Sequence, residues 1–389
     1  MVPVKSLYLD YNATSPLSPS VLDWLKSGDF VFANPSSQHS AGKASRKIIN
    51  ESRAQLFSVF SKNEKDNSLF FHSGATEAMI TLAYSFSEWA RLTGKDLLIC
   101  YSKLDHPAVT ALSERYFGNH VKFLELKINH QLDYVHSANL QMIQDKKDNN
   151  PDLIILYHHL WVHNETGSVS PLQPLKLLKA IPDLFIHVDA VQAPGKIPDW
   201  NVLDVGDVFT FSGHKFGALK GIGFSFIDKK ISFSALISGG GQQSGLRSGT
   251  ENPQAVKSLS LALNDLLKVD VKKNMLQREK LETFIKAELN GIGGVIEPQM
   301  KNSNTIYFYL QNLSSDIALA LFDQGGMEIS AGSACSSGTA KPSAVMTHLG
   351  YKDEVKNGLR LSFGPQVSDS ELQLIQDKFQ IIVNRIKKN

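Results

Sequence analysis

Apolar and polar positions divide the chain into short apolar runs and amphipathic stretches that follow one another in turn. Between Gly42 and Phe60 the apolar residues Ile49, Leu56, Phe57 and Phe60 recur at helical spacing. After the short run Leu69-Phe70-Phe71, residues Met79, Leu82, Ala83, Phe86 and Ala90 fall three and four apart, which predicts one buried face of a helix. Further apolar runs at 97–101, 121–126, 153–157, 184–188, 208–211 and 222–227 predict strands, most of them separated by helix-compatible sequence. Strands alternating with helices predict an α/β fold whose sheet is mainly parallel and covered by helices. Beyond a glycine-dense stretch, 239–249, a long helical pattern over about 254–289 leads into a second body. That body is predicted to contain a strand over 305–310, a helix over 316–323, a strand over 359–363 and a helix from Asp369.

Composition narrows the class. At 389 residues, two domains are the natural expectation. Lys and Arg total 40 against 38 Asp and Glu, so no basic field points to nucleic acid. The first residues lack the apolar core of a secretory signal and no run approaches membrane-spanning length, so the expectation is a cytoplasmic protein with no membrane partner. Two cysteines, Cys100 and Cys335, are too few for a disulfide scaffold. There is no strand-linked Gly-x-Gly-x-x-Gly and no P-loop, and the histidines His158, His159 and His163 lack a metal-site spacing, so no metal is expected.

The candidate chemistry sits where apolar runs end. Lys215, in Ser212-Gly213-His214-Lys215, follows the 208–211 run, and a partly desolvated lysine amine can add to a carbonyl cofactor. Its plainer reading is a loop charge. In Ser73-Gly74-Ala75-Thr76, backbone N–H groups at a helix start suit a phosphate, although Thr76 could equally be a simple cap. Alternation puts His187 and Asp189 on one side of their strand, and Asp189 could serve a protonated ring nitrogen or be a buried ion-pair partner. His106 could stack on a planar group or move protons, or be structural. Asn164 could donate to a ring oxygen or simply shape a polar turn. Cys100 lies in an apolar strand and reads as a small hydrophobe. Cys335 lies among Gly, Ser and Ala, whose small side chains would leave its sulfur accessible on a mobile loop. A chance loop cysteine is the alternative.

Taken together and in order, these stretches resemble the pyridoxal-phosphate-dependent cysteine desulfurases of the class V aminotransferase family. The resemblance runs from Tyr8-Leu9-Asp10-Tyr11-Asn12-Ala13-Thr14, through Asn34-Pro35-Ser36-Ser37, Asn164-Glu165-Thr166-Gly167, His187-Val188-Asp189-Ala190-Val191-Gln192 and Arg247-Ser248-Gly249-Thr250, to Gly332-Ser333-Ala334-Cys335 and Arg360-Leu361-Ser362. It implies fold type I of the pyridoxal-phosphate enzymes, with a seven-stranded, mainly parallel sheet in a large domain (15–255). A smaller α+β domain (1–14 and 256–389) would carry the catalytic cysteine loop. By resemblance, Lys215 holds the cofactor covalently, Asp189 pairs with the ring nitrogen, and Gln192 and Asn164 meet the ring oxygen. Ala75, Thr76, Ser212 and His214 bind the phosphate, joined by Thr250 from the other subunit of a homodimer. His106 stacks on the ring and assists proton transfer, Asn34 and Arg360 take the substrate carboxylate, and Cys335 takes sulfur from L-cysteine. The acceptor would be a scaffold for iron-sulfur assembly or a tRNA-thiolation enzyme. Selenocysteine lyase and a non-catalytic scaffold of the same fold are the alternatives. The chain departs from the family pattern at Asp105, His163, Gly217-Ala218-Leu219 and Gln243-Ser244.

Overall fold

The computed structural model describes residues 6–332, 343–351 and 358–388. Its strands are β1 (Leu7–Tyr8), β2 (Asn67–His72), β3 (Leu97–Tyr101), β4 (Val121–Glu125), β5 (Ile154–Leu160), β6 (Leu184–Asp189), β7 (Val208–Ser212), β8 (Gly223–Asp228), β9 (Gly293–Ile296), β10 (Thr305–Leu310), β11 (Met327–Glu328), β12 (Ser330–Ala331) and β13 (Gly358–Ser362). Seven of them form one sheet in the order β2-β8-β7-β6-β5-β3-β4. Pairing is parallel from β7 through β6, β5 and β3 to β4, and antiparallel where β8 joins β7 and β2. Because β8 reverses twice, β2 runs with the parallel set. The C-terminal ends of β2, β3, β5, β6 and β7 therefore share one edge, the edge at which open α/β sheets bind ligands.

Apolar strands explain the burial. β6 and β7 are buried along their whole length, as expected of strands covered on both faces. On one face Phe57, Phe60, Phe211, Phe224 and Phe226 interlock, with Phe60 4.7 Å from the Phe211 ring. The Ala75–Thr93 helix packs Leu82, Ala83, Phe86 and Ala90 onto the other face, the same residues its spacing marked. A second core gathers Leu281, Ile285, Phe308, Phe322, Leu361 and Phe379 around the sheet β12-β13-β10-β9.

The single long helix expected over 254–289 is two helices, Pro253–Leu266 and Val271–Glu288. The second starts where the Asp270 side chain accepts from the Lys273 N–H, an N-cap that sequence periodicity does not reveal. The first buries Val256, Leu259 and Leu263 in the core of the seven-stranded sheet, whereas the second packs Leu281 and Ile285 into the other core. The passage between cores thus falls between these helices rather than at 255/256. At the other end, β1 pairs with β11 and Leu9 enters the second core. Asp10 bridges to Ser362, which leaves residues 11–14 lying across the seam between the bodies.

Candidate active site

A cavity of about 500 Å³ opens at the shared strand edge. It is lined by Ala75 and Thr76 after β2, His106 after β3, Asn164 after β5, Asp189 and Gln192 at and after β6, and Ser212, His214 and Lys215 at and after β7. Arg360, on β13 of the second body, completes the wall. Ten residues singled out in the sequence thus meet in one space, although they come from six separate stretches.

Local structure explains how each is aimed. Gly74 is the N-cap of the Ala75–Thr93 helix and no side chain caps it, which leaves the first backbone N–H groups available to an anion at the positive end of the dipole. Lys215 follows β7 in a short turn, and its Nζ donates to the carbonyl oxygens of Asn12 at 2.9 Å and Ala13 at 2.8 Å. Asp189 ends β6 and accepts from the Val191 N–H at 3.0 Å. Burial raises its carboxyl to about 6, the Val191 bond and the Lys215 ammonium only partly opposing the rise. His106 accepts from the Ala108 N–H through Nδ1, so the neutral ring carries its proton on Nε2. Burial and then Lys215 lower that imidazole to about 4, and the same causes lower His214 to about 4. The Arg360 guanidinium donates to Asp10 at 2.5 Å and to the Asn164 carbonyl at 3.1 Å, while its buried Nε has no partner among the described residues.

Two expected residues are elsewhere. Asn34 and Thr250 lie on exposed loops and do not line the cavity of this subunit; Asn34 Oδ1 accepts from the Ser36 N–H at 2.9 Å. Cys335 lies outside the described residues. Cys100 is fully buried, and desolvation drives its thiol far above the usual range, as the apolar strand required.

The positions at which the chain departs from the family pattern have structural partners. Asp105 accepts from the Ser102 N–H at 2.8 Å and from the Tyr134 hydroxyl at 3.3 Å, and burial raises it to about 7. His163 Nδ1 accepts from the Glu165 and Thr166 N–H groups and shapes the turn that presents Asn164. Gln243 bonds both the N–H and the carbonyl of Phe71, tying the glycine-rich loop to β2. Gly217 has φ +91°, and a Cβ there would lie 2.9 Å from the Ser18 nitrogen.

Asn12 and Lys196 were given no role in the sequence. Asn12 donates to the Asn164 carbonyl at 3.1 Å and to Thr305 Oγ1 at 2.8 Å, and its own carbonyl accepts from Gln192 Nε2 at 2.9 Å. Lys196 donates to Gln192 Oε1 and to Asn12 Oδ1. The turn-forming letters around Asn12 marked a loop; nothing local marks these contacts.

The sequence profile described as aminotransferase class-V matches residues 7–375. The cysteine desulfurase IscS of Dictyoglomus turgidum is 30% identical, over 98% of this chain and 96% of its own. The cysteine desulfurase of Cereibacter sphaeroides is 29% identical, over 99% of this chain and 97% of its own. Among solved structures, the NifS-like protein from Rickettsia africae superposes with a TM-score of 0.81 at 23% identity, covering 97% of this chain and 99% of that one, which shows a common fold.

Proposed function

The chain belongs to the class-V aminotransferase family, and from that premise we propose that it is a pyridoxal-phosphate-dependent cysteine desulfurase that converts L-cysteine to L-alanine and passes the sulfur to Cys335. One observation carries the reading. A lysine amine, a buried carboxylate and an uncapped helix N-terminus line the same cavity at the strand edge.

The donor set fits the cofactor. The backbone N–H groups of Ala75 and Thr76, with Ser212 and His214, suit its phosphate, and the raised carboxyl of Asp189 suits a cationic ring nitrogen that would hold it ionised. Gln192 offers an amide N–H to the ring oxygen, and neutral His106 suits stacking on a planar ring. When bound, pyridoxal phosphate supplies an aldehyde carbon to which amines add and a protonated ring that draws electrons from Cα.

The chain's own residues do the rest. Lys215 would hold the cofactor, and its amine would serve as the base for the Cα proton; the carbonyls of Asn12 and Ala13 keep its Nζ at the cavity wall. Arg360, which lines the cavity, orients the substrate carboxylate. The Cys335 thiolate forms an S–S bond to the substrate sulfur as the substrate C–S bond breaks, which leaves a persulfide on Cys335 and, after protonation of the three-carbon fragment, alanine. A sulfur-acceptor protein for iron-sulfur assembly or tRNA thiolation, a homodimer in which Thr250 of one copy reaches the other's phosphate site, and a cytoplasmic location belong to the same proposal. No helix among the described residues is long and apolar enough to cross a membrane.

The test is the visible absorption of the purified protein on adding pyridoxal phosphate, followed by L-cysteine with assay of alanine and mass mapping of Cys335. Wild type should show the band, form alanine and gain one sulfur on Cys335. Lys215→Ala should lose the band and all turnover; Cys335→Ala should keep the band and lose persulfide. A colourless wild-type protein, or alanine formation from cysteine unaffected by Cys335→Ala, would overturn the proposal. Cleavage of selenocysteine but not cysteine would replace it with a lyase.

A further inference from the structure

Lys196 is a buried lysine that the chemistry above leaves without a task. It follows the turn after β6, is 6% exposed, and forms no ion pair among the described residues. Its Nζ instead donates to two amide oxygens, Gln192 Oε1 and, at 3.1 Å, Asn12 Oδ1. These two acceptors take two of the N–H donors at Nζ. Burial pushes Lys196 well below the ordinary lysine range, and the neighbouring Lys215 and Arg360 cations push it further in that direction.

The consequence lies in the direction of an amide. Glutamine presents an acceptor at one end and two donors at the other, and only its partners decide which end faces where. Because Oε1 accepts from Lys196, Nε2 is the end that reaches the Asn12 carbonyl, at 2.9 Å. The second N–H of that amide has no partner among the described residues, and Gln192 lines the cavity. The same Asn12 carbonyl receives Lys215 at 2.9 Å, so Lys196, Gln192, Asn12 and Lys215 form one connected set.

We propose that Lys196 is a positioning residue: by holding Gln192 Oε1 and Asn12 Oδ1 it fixes the Gln192 amide so that the cavity is offered an N–H donor. Under the function proposed above, that donor meets the ring oxygen of pyridoxal phosphate, and the identity of the ligand rests on that reading. The orientation of the amide does not.

The experiment compares wild type, Lys196→Met, Gln192→Leu and the double variant. Pyridoxal phosphate affinity and the absorption maximum are read by titration. Met keeps the length of the side chain and removes its donors, so thermal melting should show a folded protein; Lys196→Gln, which keeps an amide donor, serves as a second variant. Each single change should weaken binding by about tenfold, the worth of one hydrogen bond, and shift the band. The double variant should be no weaker than Gln192→Leu alone, because Lys196 acts through Gln192. An unshifted Lys196→Met, or losses that multiply in the double variant, would overturn the inference while leaving the enzyme reading intact. Should wild type bind no pyridoxal phosphate, the enzyme reading fails, and ligand-free crystal structures decide this one: Gln192 released from the Asn12 carbonyl in Lys196→Met supports it, and an unchanged amide refutes it.

Discussion

Asn12 shows how one side chain can join a site to its scaffold. It is 1% exposed, and its amide serves Asn164, Thr305, Lys196 and Asn304 while its carbonyl receives Gln192 and Lys215. Alanine would keep the carbonyl but strand several buried donors and acceptors, each expensive to leave unpaired. Asn12→Ala should therefore cost about 2–4 kcal/mol in urea denaturation and weaken pyridoxal phosphate binding together with stability. Lys215, Asp189, His106 and Thr76 were legible because each polar letter follows an apolar run, and a parallel sheet brings such ends to one edge. Asn12 and Lys196 were not. Their partners lie as far apart in the chain as Asn12 and Thr305, and an asparagine in a turn or a lysine after a strand looks ordinary until the chain has folded.

At the scale of the element, the seven-stranded sheet holds a transverse polar ladder. His158 on β5 meets His187 on β6 at 2.7 Å, His187 meets Thr210 on β7 at 2.9 Å, Thr210 meets Ser225 on β8 at 2.9 Å, and Ser225 meets His72 on β2 at 3.1 Å. These residues cross five neighbouring strands just inside the ends that carry Asp189, Ser212 and Ser73, so the ladder fixes those ends relative to one another. Gly223 makes room for it, since a Cβ there would lie 2.5 Å from the His72 ring. Thr210→Val keeps the shape but leaves His187 Nε2 and Ser225 Oγ without their shared partner. It should cost about 1–3 kcal/mol, read as a lower urea midpoint with an unchanged slope. Strand existence was legible from apolar runs, yet this register was not, because alternation gives the face of a residue and not its cross-strand neighbour. The broken 254–289 helix has the same origin: helix-compatible sequence runs through both halves, and the Asp270 cap between them is a local event.

For the whole molecule, the cavity closes only when both cores are formed, because Arg360 comes from the second sheet and residues 11–14 cross the seam. Acid should open this arrangement. His72, His158, His159, His163 and His187 are fully buried; desolvation lowers the first four to between about 3 and 4, and His187 well below the ordinary value. From pH 6.5 down to 4 the unfolded chain takes up protons at these rings that the native protein refuses, so their contribution is present above 6.5 and lost as pH falls. Asp105 and Asp189, raised to about 7 and about 6, act in the opposite sense. Their contribution is complete below the ordinary carboxylate value and disappears as pH rises through 6 and 7. With His106, His136 and His214 also lowered and Glu165 and Glu251 also raised, the lowered imidazoles still outnumber the raised carboxyls, each group being worth about 1.4 kcal/mol per pH unit where only one state is protonated. The urea midpoint of the cofactor-free protein should therefore fall steeply between pH 6.5 and 4.5. A flat profile would mean that the buried histidines are already charged in the native state, which for His72, His158 and His187 the ladder of short contacts leaves no room to solvate.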